Sequence, residues 1–231
     1  MAILVLPRDT AGLGRRLTQL MAGLVLYGVS MAMAFRSSLG QSPWGVFHQG
    51  AAAHLGLSIG TVVLLVGVVV LLLWIPLRQR PGVGTVANVL VLGVAMDATD
   101  AVLPAPHDLP SRFALLVGGI VLNGLAGGMY IGARLGPGPR DGLMTGLHRR
   151  TGRSLRLLRT GVELTVLLTG VLLGGDAGVG TIAYALAIGP LTQYFLAVFT
   201  PSSTRTDAER PERMNFTAVG RPSSRSGGEV S

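Results

Sequence analysis

Six apolar stretches, each roughly 20 residues long, constrain this chain more than anything else in it. They cover 17–35, 57–77, 82–103, 113–133, 157–173 and 178–199. At about 1.5 Å of rise per residue, a helix of that length matches a hydrocarbon core of roughly 30 Å. Inside lipid every backbone N–H and C=O must be satisfied within the protein, which leaves helices as the way to cross. The fold class predicted is therefore all-α: a multi-pass membrane protein with six transmembrane helices. Composition agrees, with 49% hydrophobic residues, 13% charged residues and a mean hydropathy of +0.55. A soluble domain carries about 25% charge.

Several function classes drop out on residue types alone. Cysteine is absent, which removes disulfides, thiolate metal sites and cysteine nucleophiles. Lysine is absent too, so Schiff-base chemistry and a phosphate-loop lysine go with it. His48, His54, His107 and His148 show no metal-ligand spacing, and no Ser–His–acid set is recognisable. No metal, no cofactor and no enzymatic activity are expected. The formal charge of +8 does not indicate nucleic acid, because the arginines sit at the ends of apolar stretches and in the C-terminal region.

Residues 1–16 read as a short N-terminal stub ending in Arg15-Arg16. Ala32-Met33-Ala34 resembles a signal-peptidase site, but 17–35 exceeds the usual 7–15-residue apolar region of a signal peptide and is read as a retained span. Ser42-Pro43 and, further on, Pro139 are helix-start signals. They predict short helices over 43–54 and 139–150, too short to cross. Whether these re-enter the membrane or lie on it is open at this point. Residues 200–231 are rich in Ser, Arg and Pro without apolar period and read as a disordered tail.

Charge sets the orientation. The stub, the 78–80 turn, the 134–159 stretch and the tail are net positive, whereas the 104–110 link and the turn at Asp176 are negative. By the positive-inside rule both termini face the cytoplasm, which places the chain in a bacterial inner membrane.

The two halves repeat at a constant shift. Gly82-Val83-Gly84-Thr85 recurs as Gly178-Val179-Gly180-Thr181, and 178 − 82 = 96. The same shift pairs Gly28 with Gly124, Leu39-Gly40 with Leu135-Gly136, Pro43 with Pro139 and Ser58 with Ser154. The organisation predicted is two repeats, 17–103 and 113–199, each of three spans and a short helix. An odd number of spans inverts the second repeat relative to the first, an arrangement many secondary transporters use. Both copies of G-V-G-T also fit a dinucleotide fingerprint (G-x-G-x-x-A). No strand–helix–strand unit surrounds them, so close packing at a helix start is the reading adopted.

The string Leu135-Gly-Pro-Gly-Pro-Arg-Asp-Gly-Leu-Met144 resembles the YczE/YitT-like family of bacterial integral membrane proteins. Ser42-Pro43-Trp44, Asn88, Arg159 with Glu163, and Ile188-Gly189-Pro190 add to the likeness, which covers about residues 15–199. The resemblance implies a fold and a membrane location more than an activity. Similar proteins often carry an acid after Pro-Trp, where this chain has Gly45.

Candidate site residues follow from cost. Arg140 at a helix start suits a carboxylate or phosphate, and Asp141 suits the same helix dipole. Glu163 inside a span costs roughly 2.5–3.5 kcal/mol on insertion scales and needs a partner or a purpose. Arg159, four residues earlier, is its expected ion-pair partner. With Asn88 and Ser42 these form the candidate binding set, an interhelical hydrogen bond being the plainer role for Asn88 and Asn123. Gly124, Gly128 and Gly132 form a helix-packing ridge, serving this chain or a homodimer. The expected partners are the lipid bilayer and an unknown small solute, with no nucleic acid. The function expected is transport of a small, possibly anionic, solute. The alternative is a non-transporting scaffold or accessory protein for export or biosynthesis.

Overall fold

The computed structural model describes residues 12–200, and in them the chain is entirely helical. The eight helices are α1 (Leu13–Ser37), α2 (Pro43–Leu55), α3 (Ile59–Trp74), α4 (Val83–Val102), α5 (Leu109–Gly132), α6 (Pro139–Thr151), α7 (Leu155–Leu172) and α8 (Val179–Phe199). Four of them, α1, α4, α5 and α8, are long and apolar enough to cross a membrane. A fifth crossing is obtained if α2 and α3, bent by 109° at their junction, count as one span. Two expected spans thus have a different character. α3 is only 16 residues long, and α7 carries Arg156, Arg159 and Glu163.

The expected stub boundary moves as well. α1 begins at Leu13, so Arg15 and Arg16 lie in its first turn. Arg16 donates from Nε to Ala133 O (2.9 Å) and from Nη2 to Arg134 O (3.2 Å), tying that turn to the end of α5. Residues 1–11 and the tail at 201–231 lie outside the described residues.

Local chemistry explains most helix starts. Ser42, Ser58 and Ser154 each accept a bond from the backbone N–H three residues on, at Gly45, Thr61 and Leu157. Asp108 does the same for Ser111 at the head of α5. Gly56 and Gly152 close α2 and α6 in the left-handed conformation (φ 65° and 67°). Helix starts recur at the shift seen in the sequence: 109 − 13, 139 − 43, 155 − 59 and 179 − 83 all equal 96.

α1 and α5 pack face to face at the centre, with α4 on the flank of α1 and α8 on the flank of α5. Glycines set these seams. A side chain on Gly28 would run into Leu92 O and Ala95 of α4; one on Gly124 would meet Leu191, and one on Gly128 would meet Phe195, both of α8. Gly132 faces Phe199 and Gln19. The Gly124–Gly128–Gly132 ridge is thus filled by this chain's own α8 and is not free for a second copy.

The short helices cross between halves: α2 packs on α7, and α6 on α3. Trp74 Nε1 donates to Pro139 O (3.0 Å), and Gly142 lies flat against the Trp74 ring. The G-V-G-T copies also reach across. Gly84 N donates to Leu135 O (2.8 Å), and its counterpart Gly180 N donates to Leu39 O (2.7 Å). A Cβ on Gly82 or Gly178 would come within 2.5 Å of the same two carbonyls. These glycines permit backbone-to-backbone approach.

Candidate functional site

A cavity of about 460 Å³ opens where the starts of α2 and α6 meet α1, α4, α5, α7 and α8. Its wall includes all five residues of the predicted binding set: Ser42, Asn88, Arg140, Asp141 and Glu163. Residues separated by up to 121 positions (163 − 42) are thereby brought together. Two smaller cavities, of about 20 and 40 Å³, adjoin it. Trp44 and Arg140 line all three.

Arg140 is the second residue of α6, a helix whose start carries no side-chain cap. The helix therefore offers first-turn N–H groups beside a guanidinium. The guanidinium carbon lies 5.2 Å from the centroid of the Trp44 ring. Its Nη2 donates to Tyr27 Oη at 3.3 Å. Among the described residues no carboxylate lies within 4 Å of it. Asp141, next in sequence, instead accepts from Tyr130 Oη at 2.9 Å. Arg159 Nε lies 3.2 Å from Glu163 Oε1, and both side chains are substantially exposed to the cavity or beyond.

The upper wall is polar but uncharged. Tyr184 Oη donates to Asn123 Oδ1 (3.0 Å), and Asn123 Nδ2 donates to Ser30 Oγ (2.7 Å). Asn123 thus makes the expected interhelical bonds, joining α5 to α1 and α8. Asn88 faces the cavity without a side-chain bond to another described residue. Trp44 is 7% exposed, and its Nε1 finds no acceptor; nor does Nδ1 of the buried His48 one turn further along α2 find a partner.

The sequence reading missed Tyr27, Trp44, Tyr130 and Tyr184 as site residues. For Tyr27, Trp44 and Tyr184 the signal lay in the repeat itself; Tyr130 corresponds to Ala34 (130 − 96), which does not line the large cavity. Tyr27 is the counterpart of Asn123 (27 + 96), Trp44 of Arg140 (44 + 96), and Asn88 of Tyr184 (88 + 96), and all six line the large cavity. A search for identical residues at the shift passes over these pairs, because each pairs unlike residues.

Residues 14–197 match a family of unknown function, DUF6198. The chain belongs to that family. It is 37% identical over 179 residues to an uncharacterized protein of Haemophilus influenzae, covering 78% of this chain and 82% of the relative. It is 34% identical over 184 residues to the uncharacterized membrane protein YczE of Bacillus subtilis, covering 78% and 85%. The uncharacterized protein YyaS of the same organism is 24% identical over 180 residues, covering 76% and 90%. No solved structure matches the chain. The resemblance to YczE drawn from the G-P-R-D-G-L-M string therefore stands, and with the apolar helices it makes this family member a membrane protein.

Proposed function

We propose that the protein is a secondary transporter of a small solute, working by rocking one repeat against the other. On this reading α3 and α7 complete six spans, and the three spans before α5 invert the second repeat in the membrane. Alternate positive loops put both termini in the cytoplasm at the inner membrane. The repeated helix starts and the reciprocal Gly84–Leu135 and Gly180–Leu39 bonds support two halves that meet about a pseudo-two-fold axis.

The observation that carries the proposal is the cavity of about 460 Å³ between the halves, with Arg140 on its wall unpaired by any described carboxylate. A scaffold would be expected to bury such groups in mutual pairs. Arg159 and Glu163 are paired but exposed, and Arg140 is paired with no described carboxylate at all. The uncapped start of α6 and the arginine beside it favour an anionic solute. No covalent chemistry is invoked.

The test is uptake into proteoliposomes holding the purified full-length chain, across a panel of small anions, cations and neutral metabolites. Saturable uptake that falls at least tenfold in Arg140→Gln or Glu163→Gln would support transport. A panel without uptake, together with capture of a defined protein partner, would move the reading to the accessory alternative.

A further inference from the structure

We propose that the Trp44–Arg140 pair seats a single, singly charged oxyanion group, a small carboxylate or an inorganic oxyanion. This rests on the transporter reading and names its substrate class.

The position is set by the repeat. Three counterpart pairs, Trp44/Arg140, Tyr27/Asn123 and Asn88/Tyr184, come from three helices of each half and converge on one cavity. Counterparts meet only near the axis relating the halves, so this is the place a rocking protein can hold a solute through both of its states.

The chemistry is set by unmet donors. A guanidinium has five N–H donors, and Arg140 uses one of them on Tyr27 at 3.3 Å. Trp44 Nε1–H, on a side chain 7% exposed, uses none. The first turn of α6 adds backbone N–H groups with no side-chain acceptor. Donors left unmet in a buried site cost free energy, and the group that answers them must accept hydrogen bonds and carry negative charge. A planar oxyanion does both and matches the guanidinium fork in two-point geometry. A cation would face Arg140 directly, and a neutral solute would answer its N–H donors with weaker, uncharged acceptors.

The valence is set by the neighbours. Arg159 and Glu163 neutralise one another at 3.2 Å. Asp141 is held on the same wall by Tyr130. Arg140 is then the cation on this wall without a described carboxylate within 4 Å. The four charged groups sum to zero with Asp141 counted, so one negative charge can pair with Arg140 and a second on the solute would meet Asp141 without a partner of its own.

The experiment is thermal unfolding of the full-length protein in detergent at fixed ionic strength. The probes are sodium acetate, benzoate and nitrate against sulfate and succinate, with choline and glycerol as cationic and neutral comparators. A ligand that binds the folded state alone raises Tm with concentration. A saturable rise with a monoanion is expected, with the dianions binding at least about tenfold more weakly. Acetate or benzoate without nitrate would identify a carboxylate, and nitrate without them an inorganic ion. Trp44→Phe keeps the ring and should weaken binding by about tenfold. Arg140→Gln should weaken it on the order of a hundredfold, and Arg140→Lys should recover part of that if the protein is folded.

A rise that survives Arg140→Gln, equal binding of dianions, or no rise with any anion overturns the proposal. Glycerol or choline raising Tm and entering proteoliposomes would overturn the anion while leaving transport in place. Uptake of nothing would overturn both.

Discussion

The two halves carry the same helices in the same order, yet the α3–α4 pair is closed and its counterpart, α7–α8, is open. In the first half Gly60 and Gly93 press backbone on backbone, with no room for a Cβ on either. Asp97 locks that seam, its Oδ1 accepting from Gly60 N (2.7 Å) and its Oδ2 from Ser58 Oγ (2.6 Å). The counterparts of Gly60, Gly93 and Asp97 are Arg156, Gly189 and Gln193. A Cβ on Gly189 would meet no other helix within 4 Å, and α7 and α8 form no comparable seam. The large cavity occupies the gap, with Arg159 and Glu163 on one side and Gly189 and Gln193 on the other. The difference teaches where motion has room: one pair is zipped by glycine and a carboxylate, and the other is held apart around polar side chains. If the halves rock, the closed pair must open as the open pair closes.

The largest effect expected comes from freezing that exchange. A Cβ built on Gly67 lies 3.5 Å from Val89 Cβ, within the usual disulfide span of about 3.5–4.5 Å. The chain has no cysteine of its own, so Gly67→Cys/Val89→Cys should cross-link on mild oxidation without competing thiols. Uptake by that variant should fall at least about tenfold and return with reductant. The counterpart pair Glu163→Cys/Ala185→Cys (67 + 96 and 89 + 96) flanks the cavity and should cross-link only when α7 closes on α8. Full uptake by the oxidised first pair, or an equal rate of cross-linking in both pairs, would show that the halves do not exchange.

A smaller effect separates the seams by stability. Gly60→Ala drives a methyl into Gly93 O and the Asp97 carboxylate, where the backbone cannot yield cheaply and the half-buried acid is fixed by two hydrogen bonds. Overpacking of that kind costs about 1–3 kcal/mol. Gly189→Ala meets no other helix, and its strain is confined to the following Pro190, so it should cost less than Gly60→Ala. Chemical or thermal unfolding in one detergent compares the two directly. A loss in Gly189→Ala as large as that in Gly60→Ala would mean that α8 spends much of its time packed on α7.

The same contrast explains what could be read from residue order. The starts at Ser42-Pro43 and Pro139 were legible because they are local, acting on the few residues that follow; Ser58 and Ser154 cap in the same way but were legible only as a repeat pair. The shift of 96 was legible because glycines that meet backbone cannot be exchanged. Arg140 and Asp141 stood out at the start of a short helix, and Glu163 through the cost of charge in an apolar stretch. Trp44, Tyr27 and Tyr184 did not, since an aromatic residue in a membrane helix is ordinary, and only their convergence distinguishes them. The open state of α7–α8 was also out of reach. Arg156, Gly189 and Gln193 show that the seam differs from Gly60, Gly93 and Asp97, but no single residue says by how much.

The ion pair gives a smaller difference still. Arg159 and Glu163 face the gap with side-chain exposures of 61% and 37%, so solvent screens their attraction. Glu163→Gln should cost no more than about 0.5 kcal/mol of stability, as exposed i,i+4 pairs do. Asp97→Asn, on the closed seam, should cost about 1–2 kcal/mol, because asparagine keeps one acceptor oxygen for Gly60 N but loses the charged acceptor of Ser58 Oγ. If Glu163→Gln proved as costly as Asp97→Asn, the open pair would be as tightly held as the closed one.

The smallest effect is at the head of α5, outside the spans. The Asp108 carboxylate accepts from Ser111 N (2.9 Å) and Ser111 Oγ, and these bonds hold its carboxyl below the ordinary range. A group whose pKa is lower folded than unfolded stabilises the fold once pH is above its unfolded value, near 4, and loses that contribution as pH falls through the folded value. Asp108→Asn should therefore be slightly less stable than the parent at pH 7, and the gap should narrow below about pH 4. Asparagine still caps, so the difference reports the charge and not the cap. The counterpart of Ser111 is Arg15, in the first turn of α1, and Gly12 heads that helix without a side-chain cap. A change that softens the head of α5 should accordingly leave α1 untouched, and hydrogen exchange at the two first turns would separate them.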